Sequence, residues 1–192
     1  MLGIDSVNFS FIGSLILTLL EILFLSLTIL AGLSIIWSTL VCGITPMPSS
    51  RKARQAMLEL SVNTGQGPIY ELGSGWGNLL IPLAKKYPNR KVVGYELSLL
   101  PWLTTIVISK VLGLNNVTVY RKNFLNEDLS GASVIFCYLF SDVMDKLERK
   151  IDEENICLEY LISNNFSLPS HNPIKTVQIN DFYKSPILLY KF

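Results

Sequence analysis

Residues 70–78 read YELGSGWGN, and the reading of this stretch decides the fold. Gly73, Gly75 and Gly77 alternate with other residues, and Glu71 stands two places before the first of them. The run GPIYELGSG (67–75) reads as a short strand entering a glycine loop. Glycines at the carboxyl end of a strand let the backbone turn sharply and approach a ligand closely. A dinucleotide fingerprint needs GxGxxG, but position 78 is Asn and the third glycine falls one residue early. The Glu71 carboxylate would also oppose a pyrophosphate. It suits a cation instead, and S-adenosylmethionine carries a sulfonium and an α-ammonium and no phosphate.

Outward from the loop, strands and helices alternate. NLLIPLAKKYP (78–88) reads as a helix stopped by Pro88, KVVGYE (91–96) as a strand, and residues 99–114 as a helix ending near Gly113. VTVYR (117–121) is a third strand, and the apolar run ASVIFCYLF (132–140) is a fourth, covered on both faces. An amphipathic helix (141–151) and a fifth strand (156–163) follow. The last β-like runs, 175–182 and 186–192, have no room for a helix between them. Alternation predicts a doubly wound parallel sheet, and the closing pair predicts an antiparallel hairpin at one edge. The fold class is therefore α/β, with the Rossmann-like sheet of a class I methyltransferase and one strand reversed.

Two further positions complete a nucleoside site. Glu96 ends the second strand about 20 residues past the loop, where an acid accepts hydrogen bonds from ribose hydroxyls. Asn123 and Phe124 follow the third strand, placing an amide for the adenine amine and a ring to cover the base. The competing readings are a surface acid for Glu71, a helix N-terminal charge for Glu96 and a turn residue for Asn123.

The first fifty residues differ in kind. All 16 Lys and Arg lie at or after Arg51, and the charges before it are Asp5 and Glu21 alone. Ile22 to Val41 is free of charge, and about 20 such residues span a bilayer as a helix. There is no positive n-region, so an uncleaved single-pass membrane anchor is expected rather than a signal peptide. Arg51, Lys52 and Arg54 just after the helix orient the catalytic part to the cytoplasm. Ser14, Thr18, Glu21, Thr28 and Gly32 fall roughly on one helical face, a stripe suited to a helix-mediated oligomer. The alternative has the span begin after Glu21. The expected organisation is an anchor (1–45), a Pro- and Ser-containing connector with an amphipathic helix (46–62), and a methyltransferase domain (63–192).

A net charge of +1 suggests no nucleic-acid partner. Cys42, Cys137 and Cys157 are scattered and there is one histidine, His171, so no metal site is expected. The cysteines read as buried thiols in a reducing compartment.

The segments PMPSSRKARQAMLEL, IYELGSGWGNLLIPLAKKYP, VVGYELSLLPWL, CYLF and ISNNFSLPS resemble the small membrane-anchored class I methyltransferases. Eukaryotic members are protein-lysine N-methyltransferases of ATP synthase subunit c and of the adenine nucleotide translocase, and bacteria and archaea carry relatives. The resemblance covers about residues 44–170. It implies a seven-stranded fold and a cofactor site at Glu71, Gly73, Gly75, Glu96 and Asn123; Ser74, Gly77, Leu97 and Phe124 adjoin these and complete the expected set. Family members often carry an acid where this chain has Trp76, usually Asp where it has Asn123, and His–Asn–Phe where it has SNNF. Trp76 is read as a lid over the methionine end.

For methyl transfer, Tyr138 after the fourth strand and Asn164, Asn165 and Phe166 after the fifth are expected to orient the acceptor. His171, on a loop, is a weaker candidate for a base. The anchor favours an acceptor at the membrane, by analogy a lysine of a membrane protein. A phospholipid headgroup amine is the alternative, and a non-catalytic membrane-anchored adaptor is a third reading of another class.

Overall fold

The computed structural model describes residues 4–42, 49–181 and 184–192. The chain divides into two units, Met1–Thr45 and Pro46–Phe192.

The first unit is helix α1 (Ile4–Cys42). Within it Ile12–Leu33, 22 residues, is long and apolar enough to cross a membrane. That stretch includes Glu21 and starts earlier than the charge-free run beginning at Ile22. The hydroxyls of Thr18, Ser26 and Thr28 donate to the carbonyls of Ser14, Leu23 and Phe24 at 3.0, 2.8 and 2.8 Å. Bonding back onto the helix backbone satisfies these hydroxyls without a partner outside it. Residues 46–48 of the expected connector lie outside the described residues.

The second unit begins with α2 (Arg51–Leu60). Ser50 caps it, its hydroxyl accepting from the Ala53 amide at 3.1 Å. Seven strands follow: β1 (Ile69–Leu72), β2 (Val92–Tyr95), β3 (Val117–Tyr120), β4 (Val134–Cys137), β5 (Tyr160–Asn164), β6 (Lys175–Gln178) and β7 (Pro186–Lys191). Helices α3 (Leu80–Lys86), α4 (Leu99–Val111) and α5 (Ser141–Glu153) lie between them in sequence. The sheet order is β3-β2-β1-β4-β5-β7-β6. β1 to β5 pair in parallel, and β7 runs antiparallel to both β5 and β6. This is the expected class I methyltransferase sheet with its C-terminal hairpin.

Strand β4 holds four residues rather than the nine of the apolar run, because Ala132 and Ser133 precede the ladder and Tyr138–Phe140 leave it. All four are buried, as a central parallel strand requires. Between β3 and β4 the chain makes only a 3-10 turn, Phe124–Asn126.

Two cores flank the sheet. α2 and α3 pack Met57, Leu60, Leu80 and Leu83 against Ile69, Val134 and Phe136. On the other face α5 packs Met144, Leu147 and Ile151 with Leu72, Ile135 and Leu161. Side chains alternate across a strand, so Glu71 shares the α3 face with Ile69. Over β1, β2 and β3 the α5 face carries a file of rings, Tyr70, Tyr95 and Tyr120, with centroids 6.0 and 5.6 Å apart. Cys137 is buried and its thiol is pushed up to about 12 by burial, which makes it unreactive. Cys157 is exposed, contrary to the expectation of buried thiols. Its strand starts only at Tyr160, so residue 157 falls on the approach loop.

Candidate active site

The chain order reverses between β1 and β4, so their carboxyl ends frame the crevice where open α/β sheets bind ligands. β1 leads directly into the glycine loop. The amides of Gly73 and Ser74 both donate to the Tyr95 carbonyl at 2.9 Å, and Gly77 closes the turn onto the Ser74 carbonyl at 2.9 Å. Gly73, Gly75 and Gly77 have φ of +76°, +52° and +74°. These left-handed conformations explain the alternate spacing. A Cβ on Gly77 would sit 2.8 Å from Thr105 Cγ2, so the loop packs directly on α4. A Cβ on Gly75 would meet nothing within 4 Å.

Gly75 is held from both sides. Its amide donates to Glu96 Oε2 at 2.8 Å, and its carbonyl accepts from Thr105 Oγ1 at 3.0 Å. Glu96 Oε1 accepts from the Ser98 amide at 2.7 Å. Glu96 therefore joins the loop after β1 to the loop after β2, and each oxygen keeps a lone pair for a further donor.

Glu71 is only 7% exposed, and its Oε2 is buried with no hydrogen-bond partner. Burial, and secondarily repulsion from Glu96, hold its carboxyl well above the usual carboxylate range; the Leu80 amide pulls the other way. An unpaired buried carboxylate oxygen costs free energy unless a donor, best a cation, meets it. Beside an unencumbered Gly75, this donor set fits the ammonium and nucleoside parts of S-adenosylmethionine.

The other expected cofactor residues are placed as follows. Asn123 Oδ1 accepts from the Leu125 amide at 3.0 Å, capping the 3-10 turn, which is the turn-residue role. Its Nδ2 has no partner among the described residues. Phe124, expected to cover the base, is 8% exposed and sits in the α5 core. The short β3–β4 link forces it inward, where it anchors the turn that presents Asn123. The Ser74 hydroxyl is buried without a partner and lies 2.9 Å from where a Gly94 Cβ would stand, so the loop seats on β2 at a glycine. Leu97 and Trp76 are exposed beside the loop.

The residues expected to orient the acceptor lie at the carboxyl ends of β4 and β5, which pair in the sheet. The Tyr138 and Phe166 rings stack with centroids 6.2 Å apart and 27° between planes. Phe140 meets Phe166 at 5.1 Å. Leu139, between Tyr138 and Phe140 in sequence, has its Cδ2 3.6 Å from a Cβ built on Gly73, so the segment after β4 passes beside the glycine loop. Asn165 adopts φ +69° and its amide donates to the Pro186 carbonyl at 2.8 Å. Asn164 is buried, and its Nδ2 donates to Ser49 Oγ at 3.3 Å. Phe140 and Thr105 were not evident as site residues in the sequence; an aromatic two places past Tyr138 and a lone threonine in an apolar helix were the available signals.

His171 is not at this site. Its Nδ1 pairs with Glu148 Oε1 on α5 at 2.7 Å, and the Ser170 amide reaches the same carboxylate at 2.9 Å. Its ring packs 4.9 Å from that of Phe192. It clamps the loop after β5 onto α5.

Residues 71–175, more than half of the chain, match the ANTKMT methyltransferase domain. The chain belongs to this methyltransferase family. A protein-lysine N-methyltransferase from Saccharolobus islandicus is 27% identical over 138 residues, covering 70% of this chain and 84% of the relative. An RNA methyltransferase from Salinibacter ruber, solved with S-adenosyl-L-homocysteine, superposes with a TM-score of 0.66 at 25% identity. It covers 76% of this chain and 93% of that one. A tRNA methyltransferase from B. subtilis shares the fold with a TM-score of 0.57 at 15% identity, over 76% of this chain and 67% of its own. The methyltransferase is therefore S-adenosylmethionine-dependent, and the adaptor reading is set aside.

Proposed function

We propose that this methyltransferase modifies a lysine amine of a membrane-associated protein, from the cytoplasmic side of a single-pass anchor. The observation that carries the acceptor reading is the Tyr138–Phe166–Phe140 group just past the carboxyl ends of β4 and β5. Aromatic faces attract ammonium groups within about 6 Å of a ring centroid. The naming of the Saccharolobus relative supports a lysine. Ile12–Leu33, followed by Arg51, Lys52 and Arg54, supports the anchor and its orientation.

When bound, S-adenosylmethionine supplies a methyl group made electrophilic by its sulfonium. The chain's own work is positioning and exclusion of water. Glu71 holds the α-ammonium, Glu96 the ribose hydroxyls, and Asn123 the adenine edge through its free Nδ2 and its remaining Oδ1 lone pair. Gly75 lets the cofactor approach the backbone, and Trp76 covers the methionine end. Tyr138, Phe140 and Phe166 line the acceptor path, with Asn164 and Asn165 framing its β5 side. The attacking amine must be neutral: the rings attract the ammonium as it arrives, and desolvation at the site, which disfavours the charged form, opposes that attraction and favours loss of the proton.

The test is to incubate native membranes with the protein and methyl-labelled cofactor, then separate protein from lipid. Label on lysines of a membrane protein supports the proposal. Label found only in lipid headgroups would replace it with phospholipid methylation.

A further inference from the structure

Helix α4 (Leu99–Val111) is inside out for a soluble protein. Its buried residues are Pro101, Thr105 and Ser109, one turn apart; Leu100, Trp102 and Ile106 are half-buried, and its other apolar side chains face outward. Leu99, Leu103, Val107 and Val111 form an exposed file with i, i+4 spacing, flanked by Ile108 and Leu112. Val107 is 56% and Val111 80% exposed. A soluble monomer rarely leaves such a contiguous stripe in water. At 13 residues α4 is too short to span a bilayer, and that length with an outward apolar face suits a helix lying in the membrane interface.

Charge selects the occupant. Helices α2, α3 and α4 carry Arg51, Lys52, Arg54, Lys85, Lys86 and Lys110 against a single acid, Glu59. Helix α5, on the opposite face of the sheet, carries Asp142, Asp145, Glu148, Asp152 and Glu153 against three bases. The Asn116 side chain ties the loop after α4 to the carbonyls of Ala84, Tyr87 and Arg90 at 3.1, 3.0 and 3.1 Å. This sets the Lys85–Lys86 end of α3 beside the most exposed end of α4. An apolar stripe bordered by lysines matches an anionic lipid surface. RNA would match the lysines but not the leucines and valines.

We infer that the outer face of α4 docks on the bilayer surface, making a second membrane contact on the catalytic unit itself. The inference rests on the membrane-anchor reading above. Because Thr105 of the same helix holds Gly75, docking would set the height of the cofactor loop above the lipid.

The test uses the full chain in phosphatidylcholine vesicles, with and without phosphatidylglycerol, and a photoactivated carbene reagent dissolved in the bilayer. Peptide mapping is expected to find adducts in α1 and on Leu103, Val107 and Val111, several-fold above α5, increasing with phosphatidylglycerol. Val107→Glu with Val111→Glu should remove the α4 adducts several-fold while cofactor affinity stays unchanged. Adducts in α1 with α4 no higher than α5 overturn the docking proposal and leave the anchor standing. No adducts in either helix overturn both. Crosslinks joining α4 of two copies, or protection of α4 by added RNA with no lipid adducts, also overturn it.

Discussion

Replacing Glu71 by Gln tests the cofactor site through protons rather than activity. In the protein without cofactor, burial and Glu96 raise the Glu71 pKa, so the folded state holds a proton that the unfolded state has released. Glu71 therefore contributes its full stability below the ordinary carboxylate range, and this is lost as pH rises toward the raised value. A cationic ligand against the partnerless Oε2 reverses that preference, because it needs the ionised form. Binding should then release one proton. Affinity should rise about tenfold per pH unit, about 1.4 kcal/mol, between the lower pKa of the ligand-bound protein and the raised pKa of the free folded protein. In Glu71→Gln the slope should vanish. At neutral pH the loss of one charge-assisted hydrogen bond, about 1.5–3 kcal/mol, should weaken binding about 10- to 100-fold. Titration calorimetry in buffers of different ionisation enthalpy counts the released protons directly. A wild type with no proton release, or a Gln variant with the same slope, would refute the assignment of Glu71 to the ammonium.

Other expectations follow from single contacts. Gly75→Ala should cost about 1–2 kcal/mol of left-handed strain, yet lose far more cofactor affinity, because its Cβ meets nothing but the ligand approach. Gly77→Ala should instead lower the melting midpoint as well, since its Cβ strikes Thr105; thermal melts with and without cofactor distinguish the two. Glu96→Ala should abolish measurable cofactor binding, as it frees the amides of Gly75 and Ser98 along with the ribose acceptor. Phe140→Ala should lower kcat/KM for the acceptor about 2- to 10-fold, the worth of an aromatic contact, with cofactor Kd unchanged. His171→Gln should leave turnover per folded molecule intact but lower stability by about 1–3 kcal/mol, read by urea melts. Burial raises the Glu148 carboxyl, but hydrogen bonds from His171 and Ser170 outweigh it and hold the pKa low. That stability is present above the ordinary carboxylate range and lost as pH falls toward the lowered value, and the variant should lose less on acidification.

The glycine loop and its acids were legible because each breaks a strong local pattern. Glu71 interrupts an apolar strand, and three glycines at alternate positions demand a positive φ. The sheet followed from alternation, and the hairpin from the short spacing between β6 and β7. What escaped depended on tertiary neighbours. That Phe124 packs into the α5 core follows from the helix-free link between β3 and β4, which no local pattern shows. Phe140 gained meaning only when β5 brought Phe166 to it. An apolar segment such as α4 reads as core in any sequence; that it buries Thr105 and Ser109 instead is visible only once β3 and the glycine loop are in place.

Ser49, the first described residue of the connector, is tied to the end of β5. Its hydroxyl takes the Asn164 amide, and its carbonyl takes Arg54 of α2. The point where a tether would pull is thus one hydrogen bond from the end of β5. The start of the catalytic unit is fastened beside Asn164 at the end of β5, and not at the glycine loop.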